Sequence, residues 1–132
     1  MKKILVTGAS GFVGSRVVAR WRNEFVILAP SHSELDITDR ESVNGYFMLH
    51  NPDVVVHLAA LSNTGYCEQN PDESYSVNVE GAANIARASA LCGAKLIFFS
   101  SDQVYNGNVE SGLLAEDVTV APENVYGRHK LE

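Results

Sequence analysis

The chain has 132 residues, of which 45% are hydrophobic and 20% charged, and this balance is typical of a single globular domain. Its formal net charge of −6 argues against nucleic acid and anionic membrane surfaces as partners, because both attract basic faces. Two cysteines without metal-ligand spacing, and an N-terminus without an apolar targeting or spanning segment, favour a cytoplasmic location and no metal site.

Predicted strands and helices alternate along the chain. Four continuous apolar runs are typical of parallel strands covered on both faces. They lie at residues 3–7, 25–29, 54–58 and 96–100. Helical patterns start after Gly11, at a capping box made by Thr38 and Glu41, and at Asn70-Pro71. The order β-α-β-α-β-α-β predicts a Rossmann-like, doubly wound α/β fold with a parallel sheet of strand order 3-2-1-4.

Apolar residues at helical spacing predict the buried faces of these helices. The first helix is expected to bury Val13, Val17 and Trp21. The third is expected to end at Gly93 and to bury a stripe of four residues. That stripe consists of Tyr75, Val79, Ala82 and Ala86.

A glycine-rich turn, T-G-A-S-G-F-V-G at residues 7–14, follows the first strand and opens the first helix. Gly8, Gly11 and Gly14 suit a tight turn, the approach of a phosphate and close packing of helix on strand. The helix N-terminus would direct free N–H groups and its positive dipole end at that phosphate. The segment is therefore either a phosphate cradle or a structural corner that binds nothing.

Polar and small residues follow the other strands. Ser101 could hydrogen-bond a substrate carbonyl or alcohol, or belong to an ordinary polar turn. Asp36 and Ile37 could bond and pack against an adenine, and small residues after the third strand leave room for a flat ring or ribose. Ligands in open α/β sheets bind near the topological switch point, expected here between the first and fourth strands. The small residues are Leu58, Ala59 and Ala60.

Tyr126 and Lys130 lie four residues apart in a predicted helix and would share one of its faces. An ammonium group beside a phenol favours the phenolate form, which would make the pair useful in proton transfer near neutral pH. The alternative is a surface tyrosine and lysine that share a face by chance.

Together these segments resemble the extended branch of the short-chain dehydrogenase/reductase superfamily, and within it the dTDP-4-dehydrorhamnose reductase family. The family's threonine after the fourth strand is Ser101 here, which keeps a hydroxyl, whereas the polar loop at residues 62–67 departs from the family's acidic, alanine-rich segment. The matching segments are T-G-A-S-G-F-V-G, S-E-L-D-I-T-D, N-P-D-V-V-V-H-L-A-A, N-V-E-G, S-S-D-Q-V-Y-N-G and E-D-V-T-V-A-P-E-N-V-Y-G-R-H-K-L-E.

The resemblance implies NAD(P)H-dependent reduction of a nucleotide-linked 4-keto-6-deoxysugar, such as dTDP-4-dehydrorhamnose to dTDP-rhamnose. Tyr126 would donate the proton to the developing alkoxide, Lys130 would bind the nicotinamide ribose, and Ser101 would orient the carbonyl oxygen. Tyr126 and Lys130 would contact the cofactor together with a further set of residues. That set is Gly8, Ser10, Gly11, Phe12, Val13, Gly14, Asp36, Ile37, Leu58, Ala59 and Ala60.

The residues after the second strand bear on the choice between NAD(H) and NADP(H). A carboxylate closing that strand would bind the ribose 2′-hydroxyl and repel a 2′-phosphate. Residues 29–33 contain no acid before Glu34, and Ser31, His32 or Ser33 could donate to a phosphate. This pattern favours NADP(H), with NAD(H) also usable.

Three alternatives to a reductase differ in chemistry. A dehydratase is disfavoured, because Gln103 follows Asp102 where an acid–base carboxylate would be needed. An epimerase would use the same tyrosine and lysine. A non-catalytic nucleotide-binding or regulatory module would bind the cofactor without turnover.

The chain ends at Glu132 inside a predicted helix, and its sheet stops at the fourth strand. We therefore expect residues 1–132 to form the NAD(P)-binding part of a larger protein, or a partner-dependent half, with the substrate domain absent. An open strand edge would also allow a homo-oligomer.

Overall fold

The fold is a four-stranded parallel sheet with helices on both faces, which confirms the Rossmann-like α/β class. The computed structural model describes residues 1–106 and 112–132. Part of the predicted polar loop after the fourth strand, including Gly107 of S-S-D-Q-V-Y-N-G, lies outside the described residues. The elements are β1 (Lys3–Thr7), α1 (Phe12–Trp21), β2 (Val26–Leu28), α2 (Arg40–His50), β3 (Val54–His57), α3 (Thr64–Gln69), α4 (Pro71–Tyr75), a π-helical segment (Ser76–Gly81), α5 (Ala82–Cys92), β4 (Lys95–Phe98), a 3-10 turn (Asp102–Val104) and α6 (Val125–Leu131).

The strand order differs from the predicted 3-2-1-4, because the strands lie in the order β2-β1-β3-β4. β1 pairs with β2 along one side and with β3 along the other, so that Ile4 is in register with both Ile27 and Val54. The prediction placed the third apolar run beyond β2. Instead, the chain after β2 forms a loop whose Leu35 enters the core, and α2 leads the chain to the far side of β1.

The helices divide between the two faces as right-handed crossovers require. The connection from β1 to β2 crosses the sheet in one direction, whereas the connections from β2 to β3 and from β3 to β4 cross it in the opposite direction. Accordingly α1 packs against Ile4 and Val6, while α2 and α5 pack together on the face of Leu5 and Val55. The switch in direction lies between β1 and β3, not between the first and fourth strands as predicted, so the loops leaving these two strands diverge and open a crevice.

The first two helices start slightly differently from the prediction. Asp39, not Thr38, is the N-cap of α2, and its carboxylate accepts a hydrogen bond from the Glu41 N–H at 2.9 Å. Thr38 donates instead to Asp36. In α1, Val13 is exposed rather than buried, because the first turn of that helix faces a cleft.

The third predicted helix is interrupted. It begins at Pro71 and ends at Gly93, as predicted, but a π-helical segment separates α4 from α5 and changes which side chains face inward. The predicted stripe is wrong, since Tyr75 and Ala86 are exposed. The residues buried along these helices are Ser74, Asn78, Gly81, Asn84, Ile85, Ala88 and Ser89. Within the described ranges, no helix combines the length and apolar character needed to cross a membrane.

Candidate functional site

A cleft of about 880 Å³ opens at the carboxyl edge of the sheet, where the loops after β1 and β3 diverge. Its volume lies within the usual range for small-molecule and cofactor sites. Most of the predicted site residues line it, whereas Asp36 and Ser101 do not. The residues brought together are Gly8, Ser10, Gly11, Phe12, Val13, Gly14, Ile37, Leu58, Ala59, Ala60, Tyr126 and Lys130.

The glycine turn forms one wall of the cleft and fits tightly against β3. Gly8 has φ +69°, and a Cβ atom there would lie 2.8 Å from the Ala59 nitrogen. At Gly14 a Cβ would lie 2.2 Å from the Gly8 carbonyl oxygen, so α1 can pack this closely only with glycine. In the part of the chain that the structure describes, no side-chain hydrogen bond caps α1, whose N-cap is Gly11, so its first N–H groups are available to an anion in the cleft.

Beneath this wall, hydrogen bonds made by the Thr7 side chain connect the end of β1 to His57 and the residues after β3. The Thr7 hydroxyl oxygen accepts hydrogen bonds from the N–H groups of Leu58 and Ala59, both at 3.2 Å, and lies 2.7 Å from His57 Nδ1. With two N–H groups directed at its oxygen, the hydroxyl has its proton free to donate to Nδ1, which would place the proton of a neutral His57 on Nε2. Burial lowers the pKa of His57 to about 4, with a smaller contribution from the positive charge of Lys130.

We expect His57 to make the free energy of unfolding depend on pH. Its folded pKa of about 4 lies below its ordinary value of 6.5, so the unfolded chain takes up the proton first as the pH falls. The contribution of His57 to the free energy of unfolding is fully present above pH 6.5 and is lost as the pH falls from 6.5 to 4. The total loss is about 3 kcal/mol. Urea unfolding across this range should show a flatter pH dependence for His57→Gln than for the unchanged chain; parallel curves would contradict the assignment.

Tyr126 and Lys130 are positioned by the packing of α6. The side chain of Asn124 caps the helix by accepting from the Gly127 N–H at 2.7 Å. Gly127 lies so close to the turn after β4 that a Cβ there would be 2.2 Å from the Gln103 carbonyl oxygen. Tyr126 and Lys130 are each 9% exposed, and both line the cleft, as their helical spacing predicted.

Lys130 is held by an aromatic ring. Its ammonium lies 4.2 Å from the centroid of the Phe98 ring, and that ring also stacks on the ring of His57. Across the residues that the structure describes, the only ion pair joins Arg20 to Glu24, so Lys130 has no carboxylate partner there. Burial lowers the pKa of Lys130. Phe98 was not among the predicted site residues, because its position at the end of β4 does not by itself indicate a contact with Lys130.

Asp36 and Ser101 are engaged in local turns. The Asp36 carboxylate accepts hydrogen bonds from the N–H and hydroxyl of Thr38, which lower its pKa. The Ser101 hydroxyl accepts from the Gln103 N–H at 3.2 Å and caps the 3-10 turn. To contact adenine or substrate as predicted, these side chains would therefore have to leave the hydrogen bonds that they make in these turns.

Two buried asparagines hold the loops that border the cleft. Asn78 accepts from the Leu61 N–H at 2.9 Å and donates to the Leu61 carbonyl at 3.0 Å, which fixes the loop after β3. Asn84 donates to the Ile37 carbonyl at 3.0 Å and fixes the loop after β2. Asn84 was missed from the sequence, although a lone amide in a helix rich in alanine is a signal for such a contact.

Comparison with known proteins finds a family model and several relatives that are similar to this chain along its whole length. Residues 1–132 match the model of the family described as RmlD substrate binding domain. The chain is 36% identical over 132 residues to dTDP-4-dehydrorhamnose reductase of Mycolicibacterium smegmatis, covering 98% of this chain and 39% of that protein. It is also 31% identical over 139 residues to methionine adenosyltransferase 2 subunit beta of Bos taurus, covering 99% of this chain and 41% of that protein.

A solved structure extends the likeness to three dimensions. The crystal structure of dTDP-4-dehydrorhamnose reductase from Bacillus anthracis in complex with NADP superposes with a TM-score of 0.93 at 33% identity, over 99% of this chain and 47% of that one. The chain thus spans less than half the length of these relatives. Because the family model matches it from end to end, the protein belongs to the RmlD substrate-binding domain family, which confirms the resemblance drawn from its motifs.

Proposed function

We propose that this chain is the dinucleotide-binding part of an NAD(P)H-dependent reductase acting on a nucleotide-linked 4-keto-6-deoxysugar, with dTDP-4-dehydrorhamnose as the favoured substrate. One observation carries the proposal: the glycine turn, Tyr126 and Lys130 line a single cleft. The names of the M. smegmatis and B. anthracis relatives support the substrate class.

The cleft suits a dinucleotide in size and in chemistry. Its volume is about 880 Å³, and one wall is glycine backbone at the N-terminus of α1, where a pyrophosphate is stabilised by free N–H groups and the helix dipole. Ile37, with Asp36 beside it, would lie against the adenine. Leu58, Ala59 and Ala60 would leave room for the nicotinamide end near Lys130.

The proposed proton chemistry belongs to α6. When bound, the dinucleotide would supply the hydride. Tyr126 would donate its hydroxyl proton to the substrate oxygen, and the Lys130 ammonium would bind ribose hydroxyls and favour the phenolate that remains. Ser101 would orient the carbonyl oxygen from the end of β4.

The cofactor can be tested on the chain itself. Calorimetric titration with NADPH and NADH should show saturable binding of at least one, and binding of neither would remove the proposal. NADP(H) is supported by the NADP bound to the B. anthracis relative, and NAD(H) is the alternative form. Consumption of one NADPH per sugar reduced would separate a reductase from an epimerase, which returns the hydride to its substrate.

A second candidate is a regulatory module that binds the dinucleotide without turnover. The similarity to methionine adenosyltransferase 2 subunit beta supports it, because that protein is named as a subunit of another enzyme. Tight dinucleotide binding with no reduction of any 4-keto sugar nucleotide, in a chain extended to the length of the relatives, would favour this candidate.

A further inference from the structure

A hydrogen bond joins α4 to the end of α6 that contains Lys130. His129 Nδ1 lies 2.8 Å from the hydroxyl oxygen of Ser74, a fully buried residue of α4. The His129 ring also meets that of Tyr75 edge to face, with the ring centroids 5.4 Å apart. His129 therefore faces α4, whereas its neighbour Lys130 lines the cleft.

This hydrogen bond continues through Asn78 to the loop after β3. The Asn78 side chain donates to the Ser74 hydroxyl oxygen at 3.2 Å, and it also bonds the N–H and the carbonyl of Leu61. Leu61 follows β3 and lines the cleft, as Lys130 does. The three side chains, those of His129, Ser74 and Asn78, thus connect two separate parts of the cleft lining.

The direction of these hydrogen bonds follows from the burial of Ser74. Its oxygen accepts from Asn78, and its own proton needs an acceptor because the side chain is fully buried. Among the described residues, the other side chain within hydrogen-bond distance of this oxygen is His129, so we assign Ser74 as the donor to Nδ1. Nδ1 accepts only in a neutral imidazole with its proton on Nε2.

The position of α6 depends on contacts of this kind. The helix has seven residues and packs against α3, α4, the π-helical segment and the turn after β4. A helix of this length has little stability of its own. Loss of a contact with α4 should therefore let it shift or fray.

We propose that His129 is a positioning residue, which through Ser74 and Asn78 fixes α6 relative to the loop after β3. This inference rests on the proposed dinucleotide site. Lys130 and Leu61 belong to the two segments that are connected, so the network keeps the cleft at the width at which both contact one bound dinucleotide.

The test compares His129→Leu, which removes the acceptor, with His129→Asn, whose side-chain oxygen can replace Nδ1. A hydrogen bond of ordinary net strength changes an equilibrium constant by about fivefold. We expect His129→Leu to raise the hydrogen-exchange rate of the Leu61 N–H by about fivefold, because that N–H is bonded to Asn78. It should weaken binding of NADPH, or of NADH if only NADH binds, by a similar factor. His129→Asn should keep both values within about twofold of those of the unchanged chain.

Ser74→Ala tests the same hydrogen bond from its other side. If the two residues act through one bond, combining Ser74→Ala with His129→Leu should weaken binding no more than the more harmful single change. Ser89→Ala is the matched control, since Ser89 is a buried serine that donates to the Ile85 carbonyl within α5, away from the described cleft lining. It should lower the free energy of unfolding without changing dinucleotide binding or exchange at Leu61.

Three results would overturn the inference while leaving the dinucleotide site intact. They are equal effects of His129→Leu and His129→Asn, additive effects of His129→Leu and Ser74→Ala, and the same changes in Ser89→Ala. Binding of neither dinucleotide to the unchanged chain would instead overturn the proposed function, and the inference with it.

Discussion

Replacement of Gly14 by alanine is expected to lower the free energy of unfolding by about 3 kcal/mol or more and to abolish dinucleotide binding. The new Cβ would lie 2.2 Å from the Gly8 carbonyl oxygen and 2.8 Å from the Ala9 Cα. Both atoms belong to the backbone, so no side chain can turn aside, and α1 must move away from the glycine turn. Urea unfolding followed by fluorescence of the chain's single tryptophan, Trp21, and titration with NADPH would measure the two effects.

Gly45→Ala is the matched control for this substitution. Gly45 lies within α2, and a Cβ there would meet nothing within 4 Å. Alanine in a helix interior is more favourable than glycine by about 0.5–1 kcal/mol, so this variant should be more stable and should bind dinucleotide unchanged. Equal stability of the Gly14 and Gly45 variants would show that the close approach of α1 to the turn does not require glycine.

Removal of the Tyr126 hydroxyl is expected to cost about 100- to 10,000-fold in kcat and to leave the Kd for dinucleotide within about twofold. The reason is that Tyr126→Phe keeps the ring packed beneath the cleft and removes only the hydroxyl proton that Tyr126 would donate in the proposed reduction. Rates would be measured in a chain that contains residues 1–132 and reduces a 4-keto sugar nucleotide.

Tyr46→Phe controls for loss of a phenol elsewhere. Tyr46 lies on α2, where its ring contacts that of His50, and it does not line the cleft. This variant should retain full activity. If Tyr126→Phe also retained it, the proton would have to come from another group, and Tyr126 would lose its proposed role.

The sequence predicts well where the strands and helices lie along the chain, but it predicts poorly which strands are adjacent in the sheet and which helix faces are buried. Apolar runs locate all four strands, although only β1 and β3 are largely buried while β2 and β4 are partly exposed, and Pro71 locates the start of α4. Strand order depends on which side of β1 the chain crosses after α2, and equally apolar runs carry no information about that. The buried face running from α4 through the π-helical segment to α5 differs from the prediction, because that segment changes which side chains face inward and because Asn78 and Asn84 are buried for their hydrogen bonds rather than for their hydrophobicity.

The residues of the cleft likewise divide into those whose positions could be predicted from the sequence and those whose positions depend on tertiary packing. The placement of the glycine turn, Tyr126 and Lys130 along the cleft could be predicted, since it depends on spacing within one segment. Glu34, which also lines the cleft, could not be assigned to it, because its position depends on a turn in which its carboxylate accepts from the N–H and hydroxyl of Ser31. Phe98 meets Lys130 only through the packing of α6 against the turn after β4 and against α3 and α4.

The wholly parallel sheet has a consequence for folding kinetics. Ile4 pairs with Val54, and Val54 pairs with Lys95, so no ladder can form through a tight hairpin turn, and each must close a long loop first. The turn at Gly8 takes shape only once β1 and β3 have met, because it packs on the backbone of Ala59. We predict that this turn forms after the folding transition state, so that a bound dinucleotide should slow unfolding and leave the folding rate unchanged.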